Sequence, residues 1–453
     1  MEVSSIILDS FNIFSNNSHI ISTSFIFLIL LLIFIFILYS NTKQRVVYLL
    51  DYACSLPSIE FRAPFAAIIE HTMIMYKHNP KAARFQLRIL ERAGVGEETS
   101  LPLVIHYIPP QPTIDMARDE AHILIFDAID HLFKKTGIKP KDIGILITNC
   151  SLFCPSPSLS SIIVNKYKMR SSIKSFSLSG MGCSASPISV DLGRKLLQVC
   201  PNSYALVVST EIITPNCYLG SERSMLIPAA LFRMGCSAVL LTNKSSERHR
   251  AKYKLLHIVR THLGSNNMAY NSVTQEEDTE GYLGISLSKD LLVIAGEALK
   301  SNITSLGPLV LPVSEKIRFV VHFLARKYLG PYVPNFGKVF DHFCIHAGGR
   351  AVIDELQKGL KLSAHQVEAS RMVLHRFGNT SSSSIWYELS YIEAKERMKK
   401  GDHVWQIAFG SGFKCNSVVW KCNRNIEANV DGYGPWKDCV HRYPVSIPDK
   451  VEL

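Results

Sequence analysis

From about residue 116 onward the chain alternates helix-like stretches carrying one apolar face with short strands that are apolar on both faces. Few architectures accept that pattern. In "ARDEAHILIFDAIDHLFKKTG" the side chains of Ala121, Ile125, Ala128, Ile129, Leu132 and Phe133 share one helical face, Lys134 and Lys135 come late, and Gly137 ends the run. "DIGILITN" (142–149) then reads as a strand, followed by a Ser/Pro-rich loop through Ser160 and a helix over 162–168. "KSFSLSGMGC" runs as a strand into a turn, "SPISVDLGRKLLQV" as a helix with Pro187 in its first turn, and "YALVVSTE" (204–211), "SAVLLTN" (237–243) and "YKLLHIVRTH" (253–262) as further strands.

A second series begins near Leu287. It predicts a helix in "SKDLLVIAGEALKSNI", a helix over 316–329 and a strand in "GKVFDHFCIH". A helix in "GGRAVIDELQKGL", a short helix before Leu374 and a helix over 384–400 follow, then strands in "DHVWQIAFG" and "KCNSVVWKCN". Strands apolar on both faces need helices on both sides, so two such series imply an α/β fold of two halves. The segments are 1–45, an N-terminal piece with a membrane anchor; 46–100, a connecting layer; 101–285 and 286–423, the two halves; and 424–453, a tail extended over the surface.

The anchor is "IISTSFIFLILLLIFIFILY" (20–39), uncharged over the roughly 20 residues that a bilayer-spanning helix needs. A signal peptide fits less well, because the run exceeds an h-region of about 7–15 residues and lacks both a basic n-region and an A-x-A-like site. Glu2 and Asp9 precede it and Lys43 and Arg45 follow, which places the body in the cytosol by the positive-inside rule. There the 11 cysteines stay thiols, and their spacing lacks the paired C-x-x-C of a zinc site, so no metal is expected. The net charge of +11 suits an anionic membrane face or a phosphate-rich substrate; without a basic run interleaved with aromatics, nucleic acid is not expected as a partner.

Three turns carry reactive groups. In "SLSGMGCSAS" (177–186), Cys183 is flanked by small residues just before a helix whose free N–H groups and dipole favour thiolate, yet the same residues also suit plain strand–helix packing. In "FDHFCIHAGGR", His342, Cys344 and His346 share one strand face, and His346 stands at the strand's carboxyl end before Gly348 and Gly349, where an imidazole reaches a sheet-edge site. His342 reads as a core histidine held by a hydrogen bond. In "LHRFGNTSSSS", Asn379 follows Gly378 in a turn, and neither it nor His375 needs more than a turn role; the serines can simply cap a helix.

Taken together, "SGMGCSA", "RSML", "LFRMG", "GEALKSNITSLGPLVLP", "HFCIHAGGRAVIDEL" and "HRFGNTSSSSIWYEL" resemble the plant 3-ketoacyl-CoA synthases, over about residues 47–423. These are the membrane-bound condensing enzymes of very-long-chain fatty acid elongation. The resemblance implies a thiolase-like fold of two similar α/β halves, with Cys183 as nucleophile, His346 and Asn379 as its catalytic partners, and His262, His342 and His375 in supporting roles. It implies a decarboxylative condensation of malonyl-CoA with an acyl group held on Cys183, with no cofactor beyond the two CoA substrates. Backbone amides at Cys183 and in "GSGFKCNS", around Gly412, are the expected oxyanion hole. Endoplasmic reticulum residence, homodimerisation and work beside a ketoreductase, a dehydratase and an enoyl reductase follow from the same resemblance. A chalcone synthase-like enzyme, or a catalytically silent dimer partner, would share much of this pattern.

Overall fold

Runs of aliphatic residues buried on both faces define the sheet in the computed structural model, which describes residues 44–325, 334–427 and 434–452. The first half contributes β1 (Tyr48–Cys54), β2 (Ile143–Asn149), β3 (Lys174–Leu178), β4 (Tyr204–Glu211) and β5 (Gly235–Thr242). Then come β6 (Tyr253–His262), the hairpin β7 (Val273–Glu277) and β8 (Leu283–Leu287), β9 (His342–Ile345), β10 (His403–Gly410) and β11 (Lys414–Cys422).

Nine strands join in one sheet, ordered β3-β2-β4-β5-β1-β6-β11-β10-β9. Strand directions repeat within it. β2 and β4 are parallel, then β4–β5 and β5–β1 antiparallel; β9 and β10 are parallel, then β10–β11 and β11–β6 antiparallel. The two similar halves are therefore visible as one repeated pattern, and they meet where β1 pairs with β6 through Tyr48–Lys254 and Leu49–Tyr253.

The helices are α1 (Phe65–Met75), α2 (Pro80–Arg92), α3 (Ile114–Thr136), α4 (Leu159–Tyr167), α5 (Ala185–Val199) and α6 (Arg223–Leu231). After them come α7 (Asn267–Tyr270), α8 (Leu291–Val310), α9 (Val313–Leu324), α10 (Arg350–Leu360), α11 (Ala364–Phe377) and α12 (Ser384–Ala394). α3 matches its sequence signals: Thr113 accepts from Met116 N–H at its start, and Gly137 closes it at φ +68°. α5 precedes β4 as α12 precedes β10, and both are buried through their first turns. Trp386 Nε1 donates to Ser186 Oγ at 2.7 Å, tying the two together.

Several expectations change. The connecting layer at 46–100 contains β1, a central strand, which Asp51 hides in the sequence by breaking its apolar run. β6 lies in the segment assigned to the first half, yet pairs along its length with β11 of the second. The tail is more than a surface strap: Trp436 is 1% exposed and its Nε1 donates to Tyr387 O at 3.0 Å. α11 runs a full 14 residues, whereas α12 stops at Ala394, short of the expected residue 400. The apolar run 20–39 lies outside the described residues, and among the described residues no helix is long and apolar enough to cross a membrane.

Asp51 is tolerated in β1 because cations reach it. Lys135 Nζ and Lys252 Nζ each lie 3.0 Å from its carboxylate, and Lys252 also meets Glu393 at 2.8 Å. Burial alone would raise this carboxyl; Lys252, Lys135 and the Tyr52 N–H outweigh it and hold it down at about 2. A folded value below the unfolded carboxylate value of about 3.9 means the contribution is complete above pH about 4 and lost as pH falls through about 2. Lys252→Met leaves two buried carboxylates short of a partner and should cost about 3–5 kcal/mol in urea unfolding at neutral pH. An unchanged midpoint would show that Lys135 alone balances Asp51.

Candidate active site

Cys183 sits in a single 3-10 turn, Gly182–Ser184, immediately before α5. The turn is pressed against the β10–β11 connection of the other half. A Cβ at Gly182, which adopts φ +66°, would fall 2.5 Å from the Ser411 backbone nitrogen, so only glycine fits. Ser151 Oγ accepts from Gly182 N–H at 2.9 Å and fixes the turn from below.

The thiol is not the thiolate that the helix end favours. Burial raises it, the Ser381 hydroxyl pulls the other way and the Glu211 carboxylate raises it further, leaving it at about 12. Ser381 Oγ lies 3.3 Å from Cys183 Sγ and 3.0 Å from Glu211 Oε2. A hydroxyl has one proton to give, so Ser381 donates to Cys183 Sγ or to Glu211 Oε2 but not to both at once. Glu211 is itself buried and accepts from the backbone N–H groups of Ser151 and Leu152 at 2.8 and 2.7 Å.

His346 follows β9 directly and is 4% exposed. Its Nδ1 is 2.7 Å from Ser384 Oγ, the first residue of α12. Burial lowers the imidazole to about 4, so the ring is neutral at pH 7. A serine hydroxyl both donates and accepts, so Ser384 supports either tautomer and leaves Nε2 free to take or give a proton.

Asn379 is held on three sides. Its N–H donates to Leu231 O at 3.0 Å, its carbonyl accepts from Arg233 N–H at 2.9 Å, and its Oδ1 accepts from Ser381 N–H at 2.9 Å. That last bond sets the amide's orientation, with Nδ2 donating to Gly348 O at 3.2 Å. The "LFRMG" stretch thus acts as the clamp for this loop. Arg233, 2% exposed, donates to Thr99 Oγ1 and to the carbonyls of Ala230 and Phe232.

Cys183, His346 and Asn379 line one pocket, together with Glu211, Phe232, Leu287, Phe409 and Ser411. Of the expected oxyanion segment, Gly410, Ser411 and Phe413 line it, whereas Gly412, at φ +104°, does not. The three other histidines stand elsewhere. His342 Nε2 pairs with Asp402 Oδ2 at 2.9 Å at the start of β9, His375 Nδ1 meets the Tyr443 hydroxyl at 3.1 Å, and His262 Nδ1 accepts from Gly264 N–H at 2.9 Å. None lines the pocket.

Sequence reasoning missed Glu211, Ser381 and Asn149. The signal for Glu211 was a lone carboxylate ending the apolar run "YALVVSTE". Asn149, at the end of β2, donates to Ser189 and Ser209 and accepts from Ser382 Oγ at 2.7 Å. The serines therefore do more than cap a helix. Ser381 adopts φ +54°, a conformation costing roughly 1–3 kcal/mol outside glycine, and in doing so holds its hydroxyl between Cys183 and Glu211.

If Glu211 holds the thiol protonated, Glu211→Gln should lower the Cys183 pKa. Iodoacetamide alkylation of Cys183 at pH 8, followed by peptide mass spectrometry, should then run several-fold faster than in the wild type. A slower reaction would sink this account.

A cysteine on a turn before a buried helix, a histidine directly after β9 and a clamped asparagine, lining one pocket on two repeated α/β halves, are the arrangement of a thiolase-like condensing enzyme. The fold agrees with the crystal structure of PKS-I from the brown alga Ectocarpus siliculosus, at a TM-score of 0.66 over 84% of this chain and all of that one, with 19% identity. Residues 39–328 match the family described as FAE1/Type III polyketide synthase-like protein, and 338–422 match the 3-oxoacyl-[acyl-carrier-protein] synthase III C-terminal family. The chain is 63% identical over 420 residues to 3-ketoacyl-CoA synthase 6 of Arabidopsis thaliana, covering 92% of this chain and 84% of that protein. It is 62% identical over 439 residues to 3-ketoacyl-CoA synthase 5 of the same plant, covering 96% and 88%. The chain belongs to the 3-ketoacyl-CoA synthase family.

Proposed function

We infer that this chain is a condensing acyltransferase that joins malonyl-CoA to a long-chain acyl group and yields a 3-ketoacyl-CoA two carbons longer, the first step of very-long-chain fatty acid elongation. The observation that carries this reading is the convergence of Cys183, His346 and Asn379 on one pocket in a chain 63% identical to a 3-ketoacyl-CoA synthase.

In the first half-reaction the Cys183 proton passes to neutral His346 as the sulfur attacks the acyl-CoA carbonyl. The acyl–Cys183 bond forms, the bond to the CoA sulfur breaks, and CoA leaves with that proton. Malonyl-CoA then loses carbon dioxide from its terminal carboxylate. The electron pair moves toward the thioester oxygen, where N–H groups of His346 and Asn379 meet the developing charge. The enolate carbon attacks the acyl–Cys183 carbonyl, the carbon–carbon bond forms, and the sulfur departs as thiolate. We assign the oxyanion of this step to backbone amides of Cys183 and the Gly410–Ser411 turn, a reading supported by all three residues lining the pocket.

A second, apolar cavity of about 240 Å³ lies beside this pocket, between α1, α2 and α6, and shares Leu152, Pro228, Phe232 and Ile285 as its wall. It supports a substrate with a large hydrocarbon part. The uncharged run at 20–39 and the basic residues after it support residence in the endoplasmic reticulum membrane with the body in the cytosol. Edge strand β3 is open for pairing with a second copy, which supports a homodimer. A 3-keto product requires a ketoreductase, a dehydratase and an enoyl reductase downstream.

Microsomes carrying wild type, Cys183→Ala and His346→Ala should be assayed with labelled malonyl-CoA and a panel of acyl-CoA primers. Wild type should extend at least one primer, and Cys183→Ala none. Full activity in Cys183→Ala would refute the nucleophile, and a folded, membrane-bound wild type inert with every primer would instead mark a silent dimer partner. Because His346 must be neutral to accept the proton, kcat/KM should hold as pH falls below the ordinary histidine range and decline toward about 4.

A further inference from the structure

Helix α9, "VSEKIRFVVHFL", presents an apolar face to the outside of the molecule. Val313, Ile317, Val320 and Leu324 are 69%, 58%, 52% and 79% exposed, and they recur at intervals of four, three and four residues, which stacks them in one stripe. Phe319 and Val321 are also exposed. The opposite side of the helix faces the body: Glu315 is buried and accepts from Asn335 N–H at 3.4 Å, and His322 is half-buried. Lys316 and Arg318, both exposed, flank the stripe. Leu309, at the end of α8 one turn before α9, extends the exposed apolar surface.

We propose that the outer face of α9 lies in the headgroup and upper acyl layer of a lipid bilayer, as a second membrane contact separate from the apolar run at 20–39. The chemistry of the face selects lipid over protein. An interfacial helix carries bulky aliphatic and aromatic residues on one side and cations at its margins, where they meet lipid phosphates. α9 has that arrangement, and its one carboxylate, Glu315, is turned inward and away from the headgroups. Protein-binding faces favour Tyr, Trp and Arg at their centre, whereas this stripe is Val, Ile and Leu throughout. The chain's net charge of +11 adds long-range attraction to an anionic leaflet.

The consequence concerns geometry. One spanning helix leaves a body free to swivel, whereas a second contact fixes which face meets the bilayer. That contact does not depend on the condensing reaction, since α9 contributes no residue to the Cys183 pocket.

The native tryptophans allow a direct test, because Trp386, Trp405, Trp420 and Trp436 are all fully buried. In the full chain, Val320→Trp or Leu324→Trp then places a lone tryptophan on the surface. Each variant is reconstituted into vesicles of phosphatidylcholine with a minority of phosphatidylserine, with and without bromine on the acyl chains. Brominated lipid should quench both variants several-fold more than wild type, and iodide in the buffer should quench them little. Strong iodide quenching without quenching by brominated lipid would place the face in water and overturn the proposal. Protection from both quenchers would show a protein cover, such as a second copy of the chain, and would overturn it equally. Condensing activity measured on the same samples separates loss of folding from loss of membrane contact.

Discussion

Much of the site rests on one run of hydroxyls, Ser381 to Ser384, that stitches the two halves together. Ser381 reaches Cys183 and Glu211, Ser382 reaches Asn149, Ser383 donates to Thr380 O, and Ser384 reaches His346. Each of these four serines is 2% exposed or less. A buried hydroxyl without a partner costs about 1–3 kcal/mol, so the run is stable only where every partner is in place. Cys183, His346 and Glu211 are therefore positioned by a single segment, and distortion of any one bond is felt at the others.

The halves approach closely enough for this because of what is missing from their side chains. Gly182 and Gly410 face each other's loops, and a Cβ at Gly410 would fall 2.5 Å from Ser184 Oγ. Trp386 supplies the bulk nearby and needs Ser186 as acceptor for its indole N–H. Ser186, just after the nucleophile turn, thus has a packing reason that no local pattern reveals.

Electrostatics in the pocket are dominated by burial. Burial pushes the Cys183 thiol up to about 12 and the His346 imidazole down to about 4, so the pair rests in its uncharged form. That differs from a preformed thiolate–imidazolium pair. A resting thiol is spared oxidation and stray alkylation, because the thiolate is the reactive species.

Local sequence determined a good deal of this. The apolar periodicity of α3, β2, β4 and β6 and the small-residue turn around Cys183 were readable because each depends on neighbours within a few positions. The place of His346 at a strand's end followed from alternation along β9. What depends on distant residues was not readable. β1 hid because Asp51 interrupts its pattern, and only the approach of Lys135 and Lys252 makes that carboxylate acceptable in a central strand. Glu211 and Ser381 lie 170 positions apart and meet only in the folded chain. Local position already set His346 apart from His342 and His375, but the supporting roles expected for His342, His375 and His262 depended on distant partners, and the structure pairs each of them outside the pocket. Sequence alone determined most of the helices and strands from residue 116 onward and which turns carry reactive groups, because those are short-range properties. Tertiary structure decided which of those groups share a pocket and in what charge state they rest, because both depend on burial and on partners the chain brings in from far away.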